Sequence, residues 1–233
     1  MGGIFIGGGS HSRLRASDAL AIAPRPCYRE AMPQPPTTSP TDPLVPSARR
    51  ALHTLDIGCG ASKLAGAIGI DRLPRLEVDI VHDLDVTPWP LAADSFDHVR
   101  ALDVLEHVDD FVAVVNEMWR VCKPDATVEV RMPFMGSVHH HTDPTHRRGA
   151  THRTFDYFDP STTLGRFGYS AAQFTLTRFE YLEGHTPDRV GRLYARVGRL
   201  VVPWLQRHAD TYERYGTGIF PLTDIRFELV ARK

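Results

Sequence analysis

The sequence predicts an α/β fold on a Rossmann-like, mostly parallel sheet with helices on both faces. Three observations carry this. From residue 51 onward, short apolar runs alternate with turn-rich or helical stretches. One such run ends in the glycine turn LDIGCG, Leu55 to Gly60. A helical pattern then lies between two later runs, with Phe111, Val114, Val115, Met118 and Cys122 on one face.

Taken in order, the expected strands are 52–57, 67–70 ending at Asp71, 78–82, 96–101 and 127–132. The helix before the fifth is capped by Asp109 or Asp110, whose carboxylate accepts from free amides of the first turn, and Pro124 stops it. Two more strands are expected at 174–179 and 225–230. In the last, Ile225, Phe227 and Leu229 alternate with Arg226 and Glu228, which predicts one packed face and one partly wet face. That makes seven strands in one domain, 51–233. Residues 1–50 hold a glycine run and the stretch PRPCYREAMPQPPTTSPTDPLVP, too poor in periodic apolar residues to offset the entropy of ordering. They are expected to form a disordered leader. Met32, just before the ordered part, raises the prospect that residues 1–31 are a translation-start artefact, with a docking arm as the alternative.

The 233 residues carry a formal net charge of -1, so no global field favours nucleic acid. Cys27, Cys59 and Cys122 form no disulfide or zinc spacing, which favours a reducing compartment. With no apolar run long enough for a membrane span, the chain is expected in the cytoplasm.

The turn LDIGCG lets a ligand approach the backbone closely, although the same pattern also occurs as a purely structural turn. Asp71 follows Gly60 by only eleven positions, at a strand end, where a carboxylate accepts both hydroxyls of a ribose. A dinucleotide site wants a third glycine where Lys63 stands, so a nucleoside without a pyrophosphate fits better. Asp83 and Leu84 then offer an acceptor for an adenine amine and an apolar cover for its ring.

The stretches LDIGCGASKLAGAIGIDRLPRLEVDIVHDLD, SFDHVRALDVLEHVDD and NEMWRVCKPDATVEVRMP together resemble a class I S-adenosylmethionine-dependent methyltransferase, in a branch with a short first helix and a DPTHRR loop after strand five. The resemblance implies a seven-stranded sheet whose last strand is antiparallel, and S-adenosylmethionine as cofactor. It implies Asp56, Gly58 and Gly60 at the methionine end, Asp71 at the ribose, Asp83 and Leu84 at the adenine, and Leu102 and Asp103 near the sulfonium. The family's third glycine is Ser62 here, and its Pro-Gly-Gly turn is Pro124-Asp125-Ala126. Between Ser62 and Ala67 there is room for little more than one helical turn, weakened further by Gly66. With less helix dipole available, Lys63 is expected to pair with the methionine carboxylate, a solvated lysine being the alternative.

For the acceptor, the conspicuous loop is MPFMGSVHHHTDPTHRRGATHRTFDY, 132–157. Three readings stay open. Asp143 or His146 is a general base, with Arg147 or Arg148 binding an anionic acceptor. Alternatively, the histidines and Asp143 hold a divalent metal. In the third, DPTH is a structural turn, with Asp143 capping it. The first is preferred, with no metal assigned. His107, in the LEH triplet, is a second candidate base. A basic amphipathic segment at 189–208, with Val190, Leu193, Val197, Leu200, Val201 and Trp204 in one stripe, reads as a lid helix and offers a peripheral membrane contact as the alternative.

The expected function is methyl transfer to oxygen or nitrogen of a small-molecule or glycan-type acceptor, with no nucleic acid partner. A nucleoside-binding protein without catalysis, or a nucleotide-dependent oxidoreductase, are the alternatives.

Overall fold

The computed structural model describes residues 52–184 and 189–233. The expectations for the leader at 1–50, with Cys27 and Met32, lie outside the described residues. Seven strands form one sheet in the order β3-β2-β1-β4-β5-β7-β6. They are β1 (Thr54–Ile57), β2 (Ile68–Asp71), β3 (Ile80–Val81), β4 (Phe96–Leu102), β5 (Cys122–Pro133), β6 (Phe174–Leu182) and β7 (Asp224–Ala231). The first five pair in parallel, and β7 runs antiparallel to both β5 and β6. The helices are α1 (Phe111–Val121), α2 (Val138–Thr142), α3 (Arg189–Arg207) and α4 (Ala209–Tyr215).

In β1, Leu55, Asp56 and Ile57 are all buried, as a central parallel strand requires. In β7 the expected alternation holds: Ile225, Phe227 and Leu229 are buried while Glu228 is exposed. Helix α1 is capped by Asp110, which accepts from the Ala113 amide at 2.9 Å, and packs Val114, Val115, Met118 and Val121 inward. It ends at Val121, so Cys122 already lies in β5 and Pro124 sits inside that strand. The physical reason is proline's restriction on its predecessor. Lys123 must be extended, and the helix therefore stops before it.

No helix forms between Ser62 and Ala67. Residues 58–67 cross from β1 to β2 in turns, with Gly58, Gly60 and Gly66 at positive φ. Residues 72–79 and 82–95 are likewise free of helix, leaving α1 as the helix of the parallel half. Buried Asp56 holds the first crossover, accepting from the Leu64 amide at 2.7 Å and the Arg100 guanidinium at 3.3 Å.

After β5 the chain leaves the sheet as a long loop closed at its base. The Met135 amide donates to Ala150 and the Ala150 amide to Pro133, each at 2.9 Å. Phe134 anchors it, stacked on Tyr212 and edge-on to Tyr181.

Helix α3 overturns the lid expectation. Its inward side is Gly191, Gly198 and Leu205, and a Cβ on Gly198 would overlap the Glu183 carboxylate. The small residues seat the backbone against the body. The stripe Val190, Leu193, Val197, Leu200 and Trp204 therefore faces outward, 41% to 81% exposed, and only Val201 of the predicted set is partly buried. Among the described residues, no helix is long and apolar enough to cross a membrane.

Candidate active site

Above the carboxyl ends of β1, β2, β3 and β4 lies a cavity of about 250 Å³. This is where an open parallel sheet binds ligands. Gly58 forms its floor after β1. Asp71, Arg72 and Leu73 wall it after β2, and Asp83, Leu84 and Asp85 after β3. Asp103, Val104, His107 and Val108 close it after β4, and Thr145 reaches in from the long loop.

Each wall has a local cause. Gly58 has φ +62°, and a Cβ there would stand 2.4 Å from Cγ2 of Val104, so only glycine leaves this space open. The two Asp71 oxygens accept from the Gly60 amide at 3.0 Å and the Leu73 amide at 2.8 Å. That fixes the carboxylate at the cavity edge with lone pairs to spare. Leu84 is set by buried Trp89, whose indole N–H donates to the Leu84 carbonyl at 3.0 Å. Trp89 is in turn held by its amide on Glu117 at 2.7 Å, and Arg120 grips both that carboxylate and the Trp89 carbonyl. Asp85 accepts the Asp109 and Asp110 amides, tying the β3 loop to the start of α1. Asp103, with φ +55°, is clamped by the Arg131 guanidinium in a two-pronged ion pair.

Of the expected cofactor residues, Gly58, Asp71, Asp83, Leu84 and Asp103 come together on this cavity. Asp56 and Gly60 stand behind it, shaping the turn. Leu102 ends β4 without lining the cavity. Lys63 pairs instead with Asp79 at 2.7 Å. Arg72, Leu73, Asp85, Val104 and Val108 were not singled out from sequence. Nothing in their residue types marks them, because they line the cavity only by following a strand.

The long loop presses a histidine cluster against the far wall. Asp143 accepts from both the amide and the hydroxyl of Thr145, at 2.8 and 2.6 Å, which makes DPTH a tight turn as well as a wall element. Those bonds hold the Asp143 carboxyl below its ordinary range. Because the Thr145 hydroxyl proton goes to Asp143, its oxygen accepts from Nδ1 of His107 at 2.8 Å. His146 places Nδ1 3.2 Å from the His140 carbonyl, which can only accept. The His107 and His146 rings meet edge to face at 4.7 Å. Burial, then the charge of His146, lowers the His107 pKa.

Behind them stands Glu106, which sequence reasoning passed over. It is fully buried, and neither carboxylate oxygen has a hydrogen-bond partner. Burial pushes its carboxyl up to about 7 against the opposing pull of its own backbone amide, with Asp103 and Asp224 adding to the rise and Arg131 opposing it. Its position inside the LEH triplet was the available signal.

Both arginines of the DPTHRR motif tie the loop down. Arg147 pairs with Asp109 and donates its amide to the Glu106 carbonyl. Arg148 donates to the carbonyls of Leu105, Val108 and Asp109 and lies over the Phe111 ring. His152 lies elsewhere, paired with Glu213.

Residues 55–130 match the family described as a methyltransferase domain. The match runs from β1 into β5, so it spans the strands that shape the cavity and stops short of the histidine loop. No curated protein matches the chain. Similar solved structures include the YcgJ protein from Bacillus subtilis, at 16% identity and a TM-score of 0.49, covering 80% of this chain and 94% of that one. A SAM-dependent methyltransferase from Archaeoglobus fulgidus has 17% identity and a TM-score of 0.46, covering 77% and 86%. A third, from Thermotoga maritima, is described as a SAM-dependent methyltransferase, possible histamine N-methyltransferase, with 15% identity and a TM-score of 0.48, covering 82% and 84%.

Proposed function

We propose that this chain is a class I S-adenosylmethionine-dependent methyltransferase that methylates an oxygen or nitrogen of a small-molecule or glycan-type acceptor held against His107 and Thr145, a reading supported by the match of residues 55–130 to a methyltransferase domain. The observation that carries this is one cavity with the carboxylates of Asp71, Asp83 and Asp85 along it after β2 and β3, and His107 and Thr145 on another part of its wall. On this reading Asp71 accepts the ribose hydroxyls, Asp83 takes the adenine amine, Leu84 covers the ring, and Gly58 gives room to the methionine end. Asp103 stands near the sulfonium. The donor is already activated, so the chain's task is to place the acceptor in line and manage its proton. Asp143 and His107, linked through Thr145, and His146 beside the His107 ring do this. Arg147 and Arg148 hold the loop in place rather than grip an anionic acceptor.

The test is a screen of hydroxyl and amine acceptors with a labelled methyl donor. Label transfer that is lost in His146→Ala while the demethylated product still binds supports the reading. Donor binding without transfer to any acceptor favours a non-catalytic binding protein.

The place of action is proposed as the cytoplasmic face of a membrane. Free, buried Cys59 and Cys122 fit a reducing compartment. Helix α3 supports the membrane contact: its outward apolar stripe is flanked by Arg189, Arg196 and Arg199, and the helix holds no carboxylate. That charge suits anionic lipid headgroups. A second copy of the helix would instead set arginine against arginine. Flotation with phosphatidylglycerol vesicles at low salt is expected, and its loss in Leu193→Asp/Leu200→Asp. No flotation of the wild-type chain overturns the contact.

A further inference from the structure

An isolated carboxylate is costly to bury, and among the described residues no other residue places a hydrogen-bond donor on the Glu106 oxygens. What it does face is two imidazoles. One ligand atom each from Glu106, His107 and His146 lie within 4.8 Å of one another. The hydrogen bonds already described fix both rings. Nδ1–H of His107 is donated to Thr145, and Nδ1–H of His146 to the His140 carbonyl. Each neutral ring therefore keeps a bare lone pair on Nε2. Nε2 of His146 stands 3.9 Å from Oε1 of Glu106, too far for a hydrogen bond between them. Two imidazoles oriented through Nδ1 and one unpaired carboxylate are the donor set and outer support of a divalent-cation site.

We propose that Glu106, His107 and His146 bind a divalent transition-metal cation, and that this cation holds the acceptor's hydroxyl oxygen. The proposal rests on the methyl-transfer reading for its acceptor, but not for the metal. His107 also lines the cavity at the strand ends, so the proposed cation site adjoins that cavity. Three protein ligands leave a divalent cation coordination positions to fill, which suits an acceptor with neighbouring oxygens, such as a vicinal diol, a catechol or an α-hydroxy acid. With His107 and His146 committed as ligands through Nε2 in place of a base role, the cation lowers the hydroxyl's pKa, and the proton leaves to solvent. The bound oxygen then attacks the donor methyl. The new O–CH3 bond forms as the C–S bond breaks, its electron pair returns to sulfur, and the sulfonium becomes a neutral thioether.

The test uses the full, untagged chain, stripped with a chelator and titrated with Co2+ alone, read by visible absorption. One equivalent is expected to bind with d–d bands. Glu106→Gln is expected to weaken Co2+ binding at least 100-fold, and His107→Ala, at a less buried position, repeats the test without disturbing the core. His141→Ala, on the same loop but outside the set, keeps wild-type affinity. Binding of the demethylated donor is measured alongside. Failure of Co2+ to bind, or binding weakened by His141→Ala and not by Glu106→Gln, overturns the site. Methyl transfer to a catechol that persists in the metal-free chain overturns the metal's role and leaves the methyl-transfer reading standing. Co2+ binding at the site with no transfer to any acceptor leaves the metal site standing and overturns the methyl-transfer reading, and with it the cation's role toward an acceptor.

Discussion

Nε2 of His146 lies 3.9 Å from Oε1 of Glu106, and that carboxylate is fully enclosed without a hydrogen-bond partner. One residue comes from the turn after β4 and the other from the loop after β5, 40 positions on. Their meeting puts a polar cluster against a cavity otherwise shaped for a nucleoside. It follows that His146→Ala lowers turnover by about 10²–10⁴-fold, whether His146 takes the acceptor's proton or holds the cation that lowers its pKa, while donor affinity stays as in the wild type. Steady-state rates beside calorimetric binding check this.

Gly58 and Gly60 both have positive φ, but only Gly58 faces a neighbour. A Cβ at Gly58 overlaps Val104, whereas one at Gly60 meets nothing within 4 Å. Gly60→Ala therefore costs about 1–2 kcal/mol of backbone strain in stability and keeps donor binding. Gly58→Ala pushes Val104 into the cavity and loses it. Thermal unfolding and donor titration of the two variants separate the effects.

Asp71 and Lys63 are predicted to part company. Asp71→Ala removes a charged acceptor for two hydroxyls, each bond worth about 1.5–3 kcal/mol, so donor affinity falls at least tenfold. Lys63→Ala leaves donor affinity unchanged, because its ammonium serves Asp79. Equal losses in both variants would restore Lys63 to the methionine carboxylate.

Glu117 is predicted to steepen acid unfolding. Burial works to raise its pKa, but the Arg120 guanidinium and the Trp89 amide outweigh it and hold it below the ordinary carboxylate value. Its stabilisation is therefore present above the unfolded-state pKa and is lost as pH falls through the lower folded-state value. Urea unfolding between pH 6 and pH 3 should show a shallower decline for Glu117→Gln than for wild type.

The placing of Gly58, Asp71, Asp83 and Leu84 on one cavity was legible because these residues are tied to strand ends. A parallel strand ends in a turn at the sheet's ligand-binding edge, so LDIGCG, Asp71 and Asp83-Leu84 announce their place by spacing alone. The absence of a helix after β1 was legible only in part, since Gly66 weakens a helix but does not say that Asp56 will cap a run of turns instead. The acceptor half was harder. The roles of Arg147 and Arg148 depend on which carbonyls the folded loop brings near. Glu106 reads from sequence as one more acid before a helix, and its isolation exists only once the loop has closed over it. Helix α3 inverted its expected face because Gly191 and Gly198 pack closer than any leucine allows, a choice that a hydrophobic stripe cannot reveal.

The most direct test is calorimetric titration of the chain with S-adenosylmethionine and with its demethylated product. One equivalent of each is expected to bind the wild-type chain, with affinity lost in Gly58→Ala and reduced in Asp71→Ala. No binding of either ligand to the folded wild-type chain contradicts the assignment of the cavity as the methyl-donor site.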